Sequence, residues 1–245
     1  LWRLGFYPQP IAVHADLDGQ QSRTVLAELA RTNGVNIVGG TVANRREGKV
    51  YNTCYVFDRT GTEVASYDKA HLFSPSGESK DFAAGREMVT FRLDGVLCGV
   101  AVCYDVRFPE LIRRLALEGI SVLFLPAAWP MSRLIHWQTL IRARAIENQI
   151  FVVACNEAGM TDDDEQLAGH SAIIDPWGEV LAKAGDGEEI LQEDREVYVP
   201  DFAREEDREY PAAENVNQGA MRGTAVHRVM ECLDFAAIAD IDTSE

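Results

Sequence analysis

The 245-residue chain is 47% hydrophobic and 25% charged, which is typical of a globular protein and excludes global disorder. Its formal net charge of −16 argues against nucleic acid or an anionic membrane surface as the main partner. The five cysteines are irregularly spaced and include no CxxC pair. This spacing argues against a disulfide framework or a zinc site, so a cytoplasmic location is expected. No apolar run approaches the roughly 20 residues that a membrane span requires.

The first third of the chain predicts one helix followed by strands and a long loop. Residues 20–31 carry a stripe of apolar side chains at helical spacing, and a glycine ends it. Three strands are predicted, over residues 35–42, 50–57 and 62–67, with a polar turn over residues 44–49. Residues 68–85 then form a polar loop, and loops of this length in a compact domain are usually functional. The loop contains Lys69, His71 and Glu78.

The clearest local pattern lies in residues 97–111, LCGVAVCYDVRFPEL. A short apolar run ends at Cys103, and a helical pattern begins shortly afterwards at Pro109. This order predicts a strand, a tight elbow and a helix. Such an elbow lifts one side chain out of a sheet and leaves backbone N–H groups nearby, as nucleophilic enzymes require. The alternative is a core cysteine, because free cysteines are among the most buried residues.

The remainder of the chain predicts alternating helices and strands. Helices are expected over residues 109–118 and 135–148, strands over 120–125 and 150–155, and a hairpin over 171–182. No linker or repeat divides residues 33–183, and residues 1–245 are predicted to form a single domain. Residues 188–233 depart from the rest, because they are highly charged and indicate an insertion or a tail.

Four motifs in series resemble the nitrilase, or carbon–nitrogen hydrolase, superfamily. They are residues 67–73 (YDKAHLF), 99–110 (GVAVCYDVRFPE), 142–149 (RARAIENQ) and 169–178 (GHSAIIDPWG). The resemblance implies an α/β fold, a four-layer αββα sandwich in which two sheets pack face to face with helices outside. Residues 128–137, AWPMSRLIHW, resemble the ω-amidase-like branch of that superfamily.

The resemblance also implies a Glu–Lys–Cys triad. Cys103 is the implied nucleophile, which would attack an amide carbon and form a thioester that water hydrolyses. The ammonium of Lys69 would favour the thiolate and stabilise the oxyanion, with the backbone N–H of Tyr104 as a second donor. Glu78 matches a loop position where many family members carry a second glutamate. The alternative for Lys69 and Glu78 is a solvated surface position, the default for charged residues.

The general base that the resemblance implies does not match any glutamate of the sequence. The segment LWRLGF, residues 1–6, is similar to the one that follows that glutamate in the family. The base, together with a first strand and helix, is therefore expected immediately before Leu1. If the base is truly absent, the alternative is a non-catalytic binding protein with the same fold.

The implied partner is a small amide, such as a dicarboxylic monoamide, from which ammonia is released. Phe6, Trp129 and Arg133 are predicted to bind it, and Arg133 is suited to pair with a substrate carboxylate. An N-carbamoyl amine or a nitrile is the alternative substrate. The resemblance implies no metal and no organic cofactor, no nucleic-acid or membrane partner, and a homodimer or larger homo-oligomer.

Overall fold

The computed structural model describes residues 10–161 and 164–192, and most of their strands lie in two sheets. The first sheet contains β1 (Asp16–Leu17), β2 (Ile37–Val38), β3 (Val42–Arg46), β4 (Lys49–Phe57) and β5 (Glu63–Asp68). The later strands are β6 (Thr90–Leu93), β7 (Val96–Val100), β8 (Val122–Ala127), β9 (Phe151–Asn156), β10 (Ala158–Met160), β11 (Gln166–Ala168), β12 (Ala172–Ile174) and β13 (Val180–Lys183). Strands β10 and β11 form a separate ribbon, and the other six form the second sheet.

Helices cover the outer face of each sheet. The helices of the described residues are α1 (Ile11–His14), α2 (Gln20–Asn33), α3 (Glu78–Asp81), α4 (Pro109–Leu117) and α5 (Leu134–Asn148), of which α2, α4 and α5 form the outer layers. Helix α2 packs on the first sheet through the buried side chains of Leu26 and Ala30. Helices α4 and α5 pack on the second sheet, where Ile112 and Trp137 are fully buried. The order of layers is helix, sheet, sheet, helix, so the expected αββα sandwich is confirmed.

The two sheets pack against each other through apolar side chains. Val56 and Tyr67 of the first sheet belong to one buried cluster with Val100 and Phe124 of the second. Strands β7, β8 and β9 read as continuous apolar runs because both of their faces are covered. These three strands are parallel, so their carboxyl ends lie at one edge of the sheet. In such sheets this edge is where ligands bind.

The helix predictions agree with the structure. Helix α2 begins where the Asp16 carboxylate accepts hydrogen bonds from the backbone N–H groups of Gln21 (3.2 Å) and Ser22 (2.8 Å). It ends at Gly34, whose φ of 64° lies in the left-handed region that favours glycine. The helices predicted over residues 109–118 and 135–148 are confirmed as α4 and α5.

The prediction of one strand over residues 35–42 and a polar turn over residues 44–49 has the wrong bounds. The structure has the short β2 and then β3, which begins at Val42 and extends as far as Arg46, so the turn is limited to residues 47–48. Gly40 breaks the strand with a φ of 60°. The polar side chain of Asn44 lies inside the protein rather than in a turn. The polar sequence of β3 therefore concealed a strand.

Two predictions fall partly or wholly outside the described residues. Phe6 lies outside them, and so does the part of the charged segment 188–233 that follows residue 192. In the part of the chain that the structure describes, no helix combines the length and the apolar character needed to cross a membrane.

Candidate active site

Cys103 occupies the elbow that the sequence predicts. It lies just beyond the end of β7 and opens a 3₁₀ turn, Cys103–Arg107, that leads into α4. Val102 is still extended, whereas the φ of Cys103 is 48°, a left-handed value that non-glycine residues rarely adopt. Cys103 remains partly exposed, in contrast to Cys54 and Cys98, which are fully buried. The sharp turn thus presents the thiol at the edge of the core.

Opposing influences set the protonation of the Cys103 thiol. Burial raises the pKa of Cys103 above its usual value, and the carboxylates of Glu78 and Asp105 raise it further. The ammonium of Lys69 lowers this pKa, as does the hydrogen bond from the thiol to the carbonyl oxygen of Ala128, at 3.8 Å. The net shift is upward, so the resting group is the neutral thiol. Attack by this sulfur therefore requires a base that removes the proton.

Lys69 and Glu78 form an ion pair inside the protein, with side-chain exposures of 2% and 0%. The Nζ atom lies 2.7 Å from Oε2 and 3.0 Å from Oε1. The carboxylate also accepts hydrogen bonds from Asn52 Nδ2 (3.0 Å) and from the backbone N–H of Phe73 (2.6 Å). Such bonds offset the desolvation cost of a buried charge pair. The solvated-surface alternative is therefore wrong for both residues.

The backbone of Lys69 is fixed by hydrogen bonds to β4 on one side and to Gly85 on the other. The N–H of Lys69 donates to the carbonyl oxygen of Asn52, and its carbonyl accepts from the N–H of Gly85, both at 2.9 Å. A Cβ atom at residue 85 would lie 2.1 Å from the carbonyl oxygen of Asp68. Only glycine allows this close approach, so residue 85 holds the start of the loop in place.

The carboxyl ends of β8 and β9 build a wall beside the cysteine. Trp129, buried with 3% exposure, follows β8, and its backbone N–H donates to Asn156 Oδ1 at 2.7 Å. Asn156 ends β9, and its Nδ2 donates to the carbonyl oxygen of Gly169 at 2.7 Å. The indole N–H of Trp129 donates to the carbonyl oxygen of Arg133 at 2.8 Å. One buried amide thus fixes the position of the tryptophan.

Two guanidinium groups stack on aromatic rings near the elbow. Arg133 Cζ lies 5.1 Å from the ring centroid of Phe73, and that ring lies 5.0 Å from the ring of Tyr104. Arg107 Cζ lies 4.9 Å from the ring of Trp129. Among residues 10–161 and 164–192, neither guanidinium has a carboxylate within ion-pair distance. Their charges are therefore available to an anionic group.

Some residues of this region are predicted from the sequence and others are not. Lys69, Glu78 and Cys103 lie together, with Tyr104, Trp129 and Arg133 around them. Asn52, Asp105, Arg107 and Asn156 are not among the predicted residues. Asp105 and Arg107 stand in the motif that carries the cysteine, which is a usable signal. Asn156 ends a buried strand at the ligand-binding edge, whereas nothing in the local sequence distinguishes Asn52. In the described ranges, no group of three or more His, Cys, Asp or Glu side chains is placed to hold a metal ion.

Comparison with known proteins assigns this geometry to one family. The sequence profile described as carbon–nitrogen hydrolase matches residues 6–199. A protein named 2-oxoglutaramate amidase from Bacillus subtilis (strain 168) is 47% identical over 203 residues, covering 80% of this chain and 78% of that protein. Omega-amidase NIT2 from Danio rerio is 35% identical over 194 residues, covering 76% of this chain and 70% of that protein.

A solved structure of an amidase extends the comparison to the fold. It is a mutant of the amidase from Nesterenkonia sp. AN1, described as showing covalent addition of the acetamide moiety of fluoroacetamide at the active-site cysteine. It is 27% identical to this chain, with a TM-score of 0.66, over 74% of this chain and 69% of that one. The described architecture is thus that of a known amidase fold.

Proposed function

Because this chain belongs to the carbon–nitrogen hydrolase family, in its ω-amidase-like branch, we propose that it cleaves the terminal amide of a dicarboxylic monoamide through a thioester on Cys103. One observation carries the proposal. Cys103 stands partly exposed on a left-handed elbow, and the buried ammonium of Lys69 lowers the pKa of its thiol. A positioned sulfur next to a fixed positive charge suits nucleophilic attack on a carbonyl carbon.

In the first half of the proposed reaction, the sulfur of Cys103 bonds to the amide carbon and the C–N bond breaks. The thiol proton ends on the leaving nitrogen, which departs as ammonia. The negative charge that develops on the carbonyl oxygen is stabilised by Lys69 and by the backbone N–H of Tyr104. In the second half, water adds to the thioester, releases the carboxylic acid and restores the thiol.

Glu78 has a supporting role in this proposal. Its carboxylate is paired with Lys69 and also binds Asn52 and the backbone of Phe73. Each of its two oxygens already accepts two hydrogen bonds, and together they hold the Lys69 ammonium in place. We therefore assign Glu78 to positioning Lys69 and the removal of the thiol proton to another group.

The test of the covalent step is the mass of the intact protein during turnover of a slow amide substrate. We expect an acyl adduct that maps to Cys103 and release of one ammonia for each amide cleaved. Cys103→Ala should form no adduct and lose activity. Cys155→Ala is the matched control, since Cys155 is also free and partly exposed, and it should keep both. Full activity in Cys103→Ala would contradict every covalent version of the proposal.

The substrate class follows from Arg133 and from the relative named 2-oxoglutaramate amidase. A dicarboxylic monoamide carries one carboxylate, which a guanidinium binds in bidentate geometry. The guanidinium of Arg133 lies over the ring of Phe73, a few residues after Lys69, and has no ion-pair partner within the described ranges. We propose that this residue recognises the carboxylate.

Arg133→Ala should therefore raise KM for carboxylate-bearing amides by about 10- to 100-fold, as expected for the loss of a charged hydrogen bond. The KM for neutral amides of the same length should change little. The measurement is steady-state ammonia release with paired substrates, and Arg92→Ala is the control because Arg92 is an exposed arginine on β6. Equal effects on both substrates would remove Arg133 from the binding site.

We also propose that the protein acts as a homo-oligomer in the cytoplasm. Apolar side chains protrude from the outer helical face, including Leu117 (79% exposed) and Ile135 (71%), and Trp177 is 86% exposed. Exposed apolar groups of this size favour burial at an interface. The four cysteines within the described residues are all free thiols, which suits a reducing compartment. Sedimentation of the wild type and of Ile135→Glu would test the oligomer, with a smaller species expected for the variant.

A further inference from the structure

Asp105 is a fully buried carboxylate two residues after the cysteine, and both of its oxygens are occupied. Oδ1 accepts the backbone N–H of His71 (2.9 Å) and lies 2.8 Å from His71 Nδ1. Oδ2 accepts the hydroxyl of Tyr67 and the backbone N–H of Val102, both at 2.8 Å. A charged acceptor makes stronger hydrogen bonds than a neutral one, so each of these contacts is firm.

The partners of Asp105 lie on both sides of the site. Val102 precedes the cysteine and belongs to the elbow of the second sheet. Tyr67 and His71 come from the first sheet and its loop, and they stand two residues before and two residues after Lys69. One carboxylate therefore connects the backbone next to the cysteine with the Tyr67 side chain before the lysine and the His71 backbone after it.

Further contacts stiffen this connection. The Tyr67 hydroxyl accepts the backbone N–H of Ala70 at 3.2 Å, which closes a small ring around Lys69. The His71 ring stacks on the ring of Phe108, with centroids 3.7 Å apart and planes 9° from parallel. Phe108 caps α4, and its N–H donates to the carbonyl oxygen of Asp105 at 3.0 Å. The loop, the elbow and the helix start are thereby locked to one another.

We propose that Asp105 is a positioning residue that sets the Lys69 ammonium against the Cys103 sulfur. The inference rests on the roles given above to Lys69 and Cys103. The charge of Asp105 itself disfavours the thiolate, since it raises the pKa of Cys103. Its benefit to the reaction is therefore geometric: it fixes the elbow and the loop in one relative position.

The variant that tests this is Asp105→Asn, which keeps the shape but replaces one acceptor oxygen with a donor. We expect kcat to fall by about 100-fold, the loss typical of a misplacement near 1 Å, with little change in KM. The reaction of Cys103 with iodoacetamide, followed by intact mass at several pH values, gives a second readout. The midpoint is the pH at which this reaction reaches half of its maximal rate. It should move to higher pH, because the Lys69 ammonium that lowers the Cys103 pKa is displaced.

The direction of that shift separates positioning from charge. The charged groups acting on Cys103 are Lys69, Glu78 and Asp105, and loss of the Asp105 charge alone would move the midpoint to lower pH. A midpoint that is lower or unchanged, or a kcat near that of the wild type, would overturn the proposal.

Two further variants keep the test decisive. Asp58→Asn is the matched control, because Asp58 also accepts several hydrogen bonds but lies in an exposed turn, and kcat should not change. Tyr67→Phe removes one donor to Asp105 and should lower kcat by about 10-fold with the same upward midpoint shift, even if Asp105→Asn folds poorly. If Cys103→Ala is inactive while Tyr67→Phe and Asp105→Asn are both fully active, the positioning role of Asp105 is refuted and the covalent mechanism is not. An active Cys103→Ala would refute the covalent mechanism instead.

Discussion

The two sheets bring different kinds of side chain to the site. Lys69 and Glu78 come from the first sheet and its loop, carry full charges and are almost completely buried. Cys103 and Asn156 come from the second sheet and are neutral at rest. We call these the charged half and the neutral half. Buried charges act strongly on their neighbours because little water screens them. The charged half therefore supplies the electric field, and the neutral half supplies the group whose bonds change.

The largest effect should come from the charged half. Lys69→Met removes the ammonium that lowers the Cys103 pKa, so the iodoacetamide midpoint should move to higher pH. It also removes a proposed oxyanion donor, which should lower kcat by about 100- to 1,000-fold. The measurements are ammonia release and intact mass after alkylation. An alkylation midpoint that moves to lower pH would contradict the claim that the charged half supplies the electric field at Cys103.

A second variant of the charged half should recover stability without recovering activity. Lys69→Met leaves the Glu78 carboxylate buried without its cation, which should cost about 3–5 kcal/mol of unfolding free energy. Lys69→Met combined with Glu78→Gln removes both charges and should recover much of that stability, but none of the activity. Urea denaturation compares the two proteins. If the double variant regained activity, the pair would be structural only.

A smaller effect is expected from the neutral half. Asn156→Ala removes the acceptor of the Trp129 N–H and the donor to the carbonyl oxygen of Gly169. Each buried group left without a partner should lower the unfolding free energy by about 1–3 kcal/mol. Because Trp129 is a proposed substrate contact, KM should rise more than kcat falls. Asn33→Ala at the exposed end of α2 is the control and should change stability by less than about 0.5 kcal/mol. A kcat loss as large as that of Lys69→Met would erase the distinction between the halves.

The smallest effect should come from a water-exposed ion pair that joins α2 to the first sheet. Arg23 and Glu63 lie 2.8 Å apart, with side-chain exposures of 42% and 28%. Glu63→Gln should change the unfolding free energy by about 0.2–1 kcal/mol and leave kcat unchanged. Thermal unfolding at low and high salt would measure it. A loss near that of the Lys69 variant would show that burial is not what makes the charged half strong.

Local sequence was sufficient for the elements that carry the cysteine. The apolar run, the break at Cys103 and the proline that opens α4 are each encoded within a few residues. The same holds for Lys69, which directly follows β5. The resemblance also placed Glu78 near the site, although the short helix α3 that it begins was not predicted.

Local sequence could not reveal the contacts that join distant segments. Asn52 and Glu78 are 26 residues apart, and Tyr67 and Asp105 are 38 apart. Such pairs depend on how the sheets stack, which no short pattern encodes. The error at β3 has a related cause, because Asn44 is buried by tertiary packing that overrides its low strand propensity.

Lys69 accepts its hydrogen bond from Gly85, so the chain between them leaves and returns at one point. Doubling the length of a flexible closed loop costs only about 0.6 kcal/mol, because the entropy of closure grows with the logarithm of the loop length. Phe82 is buried and Ala83 donates to the carbonyl oxygen of Val50, so the exposed turn Ser74–Ser76 is the part of this loop that can lengthen while the lysine stays in place. An insertion at that turn would leave the Lys69–Glu78 pair and the cysteine elbow where they are, provided that residue 85 remains a glycine.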